Sequence, residues 1–135
     1  MTKEEIDNLT YKIIGCAIEV HKELGPGLLE SVYEKCFIQE LLSQNLKVQS
    51  QVNIPLHYKG VDIECELRLD VLVENTIVVE LKAVEVLLPV FSSQLLTYLK
   101  LLEKPKGILI NFNCTNIFKE GQKTFVNEYY AQLDK

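Results

Sequence analysis

The sequence predicts a mixed α/β fold in a single domain over residues 1–135, and three observations support that prediction. Two stretches near the N-terminus carry apolar residues at helical spacing. The middle of the chain alternates apolar and polar residues as strands do, and a leucine-rich helical stretch follows it. The predicted order is therefore α-α-β-β-β-α-β, with a C-terminal extension over 113–135 that is left open as strand or helix.

Two helices are expected at 3–24 and at about 28–44. Thr2 can cap the first, because a threonine side chain accepts a hydrogen bond from a free N–H of the first turn. Gly25-Pro26-Gly27 ends that helix, since proline cannot sit in a helix interior and glycine suits the position after the last turn. A third helix is expected at about 90–103, where leucines recur at helical spacing.

The β part is expected to contain a long hairpin and then buried strands. One strand covers about 48–58, Lys59-Gly60 turns the chain, and the returning strand covers about 61–69 before the sequence becomes continuously apolar. Further strands at 77–83 and 108–112 are expected inside the sheet, because both are short runs that are apolar on both faces.

Composition and charge limit the function classes. The net charge is −5 and Arg68 is the only arginine, so the chain has little with which to bind many phosphates. The N-terminus does not follow the signal-peptide pattern, and no apolar run approaches a membrane span. Four separated cysteines predict reduced core thiols in a cytoplasmic protein rather than a zinc site. They are Cys16, Cys36, Cys65 and Cys114.

The strongest candidate for a functional site lies on the two strands that flank the turn Glu74-Asn75-Thr76. Asp70 stands on the first strand, and Glu80 and Lys82 share one face of the second. A charge on a strand of interior type must be paired, bind a metal or line a cleft, because burying an unpaired charge is costly. Two carboxylates can hold Mg²⁺ or Mn²⁺, and a neighbouring lysine can stabilise a phosphate or position a water.

Two further pairs have spacing that places them on one helix face. Glu30 and Tyr33 stand three residues apart near the start of the second helix. Gln94 and Tyr98 stand four residues apart and form a polar edge on the leucine-rich third helix.

The same charged residues also allow a purely structural interpretation. Glu80 and Lys82 could form an ion pair on one strand face, Asp70 could serve the turn, and Glu30 could cap its helix. Spacing alone leaves both interpretations open, and the interior type of the strands favours the functional one.

Taken together, these motifs resemble a known family. In order they are Gly27-x-x-Glu30-x-x-Tyr33, Asp70, Glu80-Leu81-Lys82 and Gln94-x-x-x-Tyr98. This arrangement is similar to the small bacterial and archaeal GxxExxY family, which is assigned to the PD-(D/E)xK nuclease-like superfamily. The resemblance covers about 21–112. It implies a restriction-endonuclease-like core, in which a mixed sheet is flanked by helices and an acidic site lies at one edge of the central hairpin.

The resemblance also implies a role for each residue. Asp70 and Glu80 would be metal ligands, with the Leu81 carbonyl as a third, for a Mg²⁺ or Mn²⁺ cofactor. Lys82 would be the catalytic lysine, and Glu30 would assist the metal site as a further catalytic acid. The residues expected to support the site or contact the substrate are Tyr33, Gln94 and Tyr98.

Two functions follow from these expectations. The first is a metal-dependent nuclease that acts on DNA or RNA, and the alternative is a binding or assembly module that keeps the fold without meaningful turnover. A basic rim around Lys82 would favour the nuclease, whereas an acidic rim would favour the alternative. The lysines considered for that rim are Lys35, Lys100, Lys104 and Lys106. Nucleic acid is the expected partner, no membrane is expected, and a homodimer is left open as a way to complete a groove.

Overall fold

A computed structural model describes all 135 residues. The helices are α1 Lys3–Leu24, α2 Glu30–Ser43, α3 Pro89–Leu102 and a short α4 Glu128–Ala131. Thr2 caps α1 as predicted: its hydroxyl accepts the N–H of Glu5, and the Glu5 carboxylate accepts the N–H of Thr2. Gly25 follows α1 with φ of 67°, a value that residues with a side chain rarely adopt, so the helix ends where the sequence predicts.

Five strands form one mixed sheet. The seven strands of the chain are β1 Val48–Asn53, β2 Leu56–Tyr58, β3 Val61–Ile63, β4 Arg68–Val73, β5 Ile77–Lys82, β6 Lys106–Asn111 and β7 Gln122–Val126. The sheet has the order β1-β4-β5-β6-β7, so β5 lies in the middle. The β5–β6 pair is parallel, and the other three pairs are antiparallel.

Helices cover both faces of this sheet. One face packs against α1 and α2, with Tyr33, Phe37 and Leu41 of α2 fully buried. The other face packs against α3 through Leu95, Tyr98 and other residues. The central strands are therefore buried on both faces, which explains why their sequences are almost continuously apolar.

The predicted long hairpin forms around Lys59-Gly60, but it is interrupted between its inner and outer halves. Only Val48–Asn53 and Arg68–Val73 pair in the main sheet, whereas β2 and β3 form a separate two-stranded ribbon. Side chains on both faces of this ribbon are exposed, because no helix covers it. Apolar–polar alternation thus predicted the strand conformation but not where the sheet ends.

The C-terminal extension contains both kinds of structure that the sequence left open. Ile117–Gly121 forms a π-helical turn, β7 pairs with β6, and α4 follows. The cysteines are all free thiols, but the prediction that they lie in the core holds only for Cys16, since Cys36 and Cys114 are partly buried and Cys65 is exposed. None of the helices combines the length and apolar character needed to cross a membrane.

Candidate functional site

The β4–β5 hairpin opens where the two candidate carboxylates face each other. Its ladder pairs Ile77, Val78 and Val79 with β4, and the next position in that register would place Asp70 opposite Glu80. There the backbones no longer pair, and side chains replace the ladder. The Asp70 N–H donates to Glu80 Oε1 at 3.2 Å, and the Leu81 N–H donates to Asp70 Oδ2 at 2.8 Å. The strands therefore hold both carboxyl groups at one point, which is called the open end of the hairpin below.

The carboxyl pair has no ion-pair partner. Glu80 is only 6 % exposed, and no lysine or arginine lies within ion-pair distance of Glu80 or Asp70. Burial, followed by the negative charge of Asp70, raises the pKa of Glu80 to about 9. In the protein alone, the pair therefore holds a proton near neutral pH, which a bound cation could displace.

Lys82 ends β5 on the same face as Glu80 but does not pair with it. Its half-buried side chain places Nζ 4.5 Å from the centre of the Phe91 ring, near the start of α3. The ion pair of the structural interpretation is therefore not formed. The ammonium instead stays available beside the carboxyl pair, steadied by an aromatic ring that sequence analysis did not single out.

Glu30 approaches this site from the other side of the sheet. It is the first residue of α2 and does not cap the helix; the capping position is Leu29, which has no side-chain cap. Partial burial and then the charge of Asp70 raise the pKa of the Glu30 carboxyl, while Lys82 acts in the opposite direction. Glu30 is thus an exposed acid within electrostatic reach of both residues.

Sequence analysis missed Glu34, which lies one helical turn after Glu30. Burial and then Asp70 raise the pKa of Glu34, and Gln51 Nε2 donates to Glu34 Oε1 at 2.9 Å. Its spacing of four residues from Glu30 could have indicated it. The helix side of the site therefore presents two acids rather than one.

Tyr33 has a supporting place and no access to substrate. Its ring is fully buried and stacks on Phe112 with centres 4.5 Å apart. Its hydroxyl donates to the Gly25 carbonyl at 2.5 Å and accepts the Leu28 N–H at 3.1 Å. Tyr33 thereby fixes the loop that leads into Glu30.

Gln94 and Tyr98 lie on α3, where that helix covers the carboxyl pair. Tyr98 is nearly buried, and its pKa is raised by burial and then by the charges of Glu80 and Asp70. Gln94 is exposed, and its hydrogen bond to Tyr98 lowers that pKa in part. The structure therefore brings Tyr98 to the site, with Gln94 at its solvent side.

Lys104 and Lys106 do not form a basic rim around Lys82. Lys106 aligns with Ile77 at the far end of β5 and pairs with Asp7 at 3.1 Å. Lys104 Nζ donates to Asn75 Oδ1 in the hairpin turn. Lys100 lies in the last turn of α3, whereas the first turn is the one that reaches Lys82. Acids rather than these lysines surround the open end.

The donor set at the open end suits a hard cation with an incomplete protein shell. No group of three or more histidine, cysteine, aspartate or glutamate side chains is arranged to hold a metal. The pair formed by Asp70 and Glu80 offers carboxylate oxygens, and Mg²⁺ in proteins is commonly bound through one or two carboxylates while it keeps several waters. The residues therefore fit Mg²⁺ or Mn²⁺.

A family comparison decides what kind of protein carries this site. The family model described as the PD-(D/E)XK nuclease superfamily matches residues 7–125. The chain belongs to the PD-(D/E)XK nuclease superfamily. The five-stranded mixed sheet flanked by helices agrees with the restriction-endonuclease-like fold of that superfamily. No curated protein and no solved structure matches the chain.

The superfamily name describes a short pattern that this chain follows with one departure. Asp70 and the segment Glu80-Leu81-Lys82 stand in the order of the name, and Leu69 stands where the name has proline. Leu69 is fully buried, so the exchange replaces one apolar residue by another and leaves the acidic pair untouched.

Proposed function

We propose that this PD-(D/E)XK protein is a Mg²⁺- or Mn²⁺-dependent nuclease that hydrolyses phosphodiester bonds in DNA or RNA. The observation that carries the proposal is the open end of the hairpin, where two carboxyl groups meet without an ion-pair partner. Two buried carboxyl groups in contact lower the stability of the fold unless a cation binds them. Such pairs are typical of functional sites.

Each side chain has a part in the proposed reaction. Asp70 and Glu80, with the Leu81 carbonyl, would hold the ion, which when bound polarises the scissile phosphate and lowers the pKa of water. The Lys82 ammonium would lie against the phosphate oxygens and stabilise the charge that develops on them. Glu30 would accept a proton from the attacking water, because its raised pKa lies closer to neutrality than that of an ordinary carboxyl.

Within the superfamily, we assign the chain to the GxxExxY group. The three motif residues support the site together: Gly27 has φ of 102°, which favours glycine, and Tyr33 bonds the loop on both sides of it. That loop delivers Glu30 to the open end. The motif would then serve to position the Glu30 carboxyl at the open end.

A second function remains in view because of the charge around the site. Glu30 and Glu34 flank the open end, Lys104 and Lys106 lie at the other end of β5, and the net charge is −5. A long duplex would find few cations there. A binding or assembly module that keeps the metal but does not turn over a substrate fits this observation.

The decisive experiment measures metal binding and cleavage together. Mg²⁺ and Mn²⁺ binding would be followed by calorimetry on the wild type and on the double variant Asp70→Asn, Glu80→Gln, and the same samples would be incubated with mixed DNA and RNA substrates. The matched control is Asp62→Asn, Glu74→Gln, which removes the same charge from the ribbon and the hairpin turn.

For a nuclease, the wild type and the control bind the ion and cut, whereas the site variant folds but does neither. If the wild type binds the ion and cuts no substrate, the binding module is the better description. If it neither binds at millimolar concentration nor cuts, the metal site itself is refuted.

A further inference from the structure

Asn111 lies at the end of the β5–β6 ladder, directly beside Lys82. It is the last residue of β6, and the parallel register pairs it with Lys82, the last residue of β5. The residue is only 5 % exposed, so its amide must find partners within the protein. It finds three, and all of them are main-chain groups.

The amide of Asn111 continues the β5–β6 ladder past its normal end. Val84 N–H donates to Asn111 Oδ1 at 3.0 Å, and Asn111 Nδ2 donates to the Val84 carbonyl at 2.9 Å. One step earlier, the Phe112 N–H donates to the Lys82 carbonyl at 2.9 Å. The main chain from Lys82 to Val84 is therefore held to β6 on both sides of residue 83.

The amide itself is held in one orientation. Asn113 N–H also donates to Asn111 Oδ1, at 3.2 Å. On the other side of the backbone, a Cβ on Gly121 would lie 2.9 Å from the Asn111 carbonyl oxygen and 2.6 Å from Cys114 Sγ. The π-helical turn therefore packs closely against the end of β6, and the Asn111 amide is bound on its other side by Val84.

The position of the Lys82 side chain depends on its backbone more than the positions of the two carboxyl groups do. Asp70 and Glu80 are held by hydrogen bonds that run between β4 and β5. The Lys82 side chain has no ion pair, and its flexible stem is oriented by its own backbone and by the Phe91 ring. A displacement of the backbone at residue 82 would therefore displace the ammonium as well.

From these contacts we propose that Asn111 is a positioning residue for Lys82. It holds the end of β5 so that the ammonium lies over Phe91 and beside the carboxyl pair. The proposal rests on the proposed nuclease function only in its catalytic consequence. The placement of Lys82 by Asn111 is a separate claim that can be measured without any substrate.

The test observes the Lys82 ammonium directly. Lysines would be dimethylated with ¹³C-formaldehyde, which keeps their charge, and the methyl signals recorded by NMR. The Lys82 signal is assigned by its loss in Lys82→Ala, and the ring current of Phe91 should give it a distinct shift that Phe91→Leu removes. Asn111→Ala and Asn111→Leu are then compared with the wild type, the second variant keeping the side-chain volume in case the first does not fold.

Asn113→Ala is the matched control, since it removes the same side chain two residues away, where no side-chain hydrogen bond is formed. We expect both Asn111 variants to move the Lys82 signal toward the positions of the other lysines, with Asn113→Ala unchanged. Metal affinity at Asp70 and Glu80 should stay within about twofold. The kcat of cleavage should fall by about tenfold or more with little change in KM, because a small misplacement of a catalytic group is costly.

An unchanged Lys82 signal in Asn111→Leu would overturn the proposal, whether or not the protein cuts nucleic acid. So would equal losses in metal affinity and kcat, since these describe a general structural role. A moved signal in a protein whose wild type cuts nothing would support the positioning role and count against the nuclease function alone.

Discussion

The two ends of the β4–β5 hairpin differ in the partners of their charged groups. At the turn end, Glu74 Oε2 accepts the Lys47 N–H at 2.5 Å, and Lys106 pairs with Asp7. At the open end, Asp70 and Glu80 face each other with hydrogen bonds only from main-chain N–H groups. Charged groups near the turn end are thus bound by neighbouring segments of the chain, whereas at the open end two carboxyl groups face each other.

This difference separates what stabilises the fold from what can serve a reaction. A paired charge at the turn end favours the folded state, whereas an acidic pair without a cation disfavours it. No buried side-chain nitrogen or oxygen in the protein lacks a hydrogen-bond partner. An unfavourable pair of acids within such a protein is typical of a functional site. The four predictions below test that contrast at one end or the other.

The largest expected effect is a loss of metal-free stability as the pH rises. Because the pKa of Glu80 is raised from 4.5 to about 9, the folded protein keeps a proton that the unfolded chain releases above pH 4.5. Stability is therefore fully present below that pH and is lost as the pH rises toward 9. Urea denaturation in EDTA should show a loss of about 5 kcal/mol between pH 5 and pH 9.

Glu80→Gln should remove most of this dependence, because an amide has no proton to lose. Glu74→Gln, at the turn end, should leave it in place. Equal stability of the wild type at both pH values would contradict the assignment of an uncompensated pair to the open end.

At the turn end, Asp7→Ala should cost about 1–2 kcal/mol, because the nearly buried Lys106 ammonium loses its acceptor while Asp7 itself is half exposed. Burial raises the pKa of Asp7, but hydrogen bonds from Lys106 and Tyr130 outweigh it and leave the pKa lowered. Stability from Asp7 is thus present above pH 3.8 and is lost as the pH falls through the lowered pKa, the reverse of Glu80.

Acid denaturation of Asp7→Ala beside Asn8→Ala measures this effect, the second variant changing the next, exposed residue of the same helix. A cost no larger than that of Asn8→Ala would mean that the turn end is not stabilised by this pair.

The contrast between the ends could be predicted only in part from the sequence. Periodicity predicted all three long helices, and apolar character on both faces predicted that β5 lies inside the sheet. Glu80 and Lys82 could be placed on one face because side chains alternate strictly along a strand. These are local properties of the chain, and the local pattern suffices for them.

Contacts between distant segments could not be predicted in this way. The position of Lys104 and Lys106 could not be predicted, because the sequence does not show that β6 runs parallel to β5, which puts the start of β6 at the turn end. Asn111 meets Val84 across 27 residues, and nothing near either position indicates it. The separation of β2 and β3 from the main sheet could not be predicted either, because alternation does not show whether a helix covers the apolar face.

A smaller effect is expected at Tyr33, which holds the loop that leads into α2. Tyr33→Phe keeps the stack on Phe112 but removes the hydroxyl that bonds Gly25 and Leu28, and it should cost about 1 kcal/mol. Cleavage should fall as well, because the loop that leads into Glu30 is released. Tyr11→Phe is the control, since that tyrosine is 79 % exposed and its hydroxyl makes no hydrogen bond within the protein. If both variants unfold at the same urea concentration, Tyr33 does not hold the loop through its hydroxyl.

The smallest effect is expected at the aromatic ring beside Lys82. Phe91→Leu keeps an apolar side chain at this position of α3 but removes the ring face over which the ammonium lies at 4.5 Å. A cation–π contact at a partly exposed site contributes about 0.5–1 kcal/mol, so cleavage should fall about twofold to fivefold with metal affinity unchanged. Phe118→Leu alters an exposed ring away from the hairpin and should leave the rate as it is. A rate in Phe91→Leu equal to that of Phe118→Leu would show that the Lys82 backbone, and therefore Asn111, places the ammonium without help from the ring.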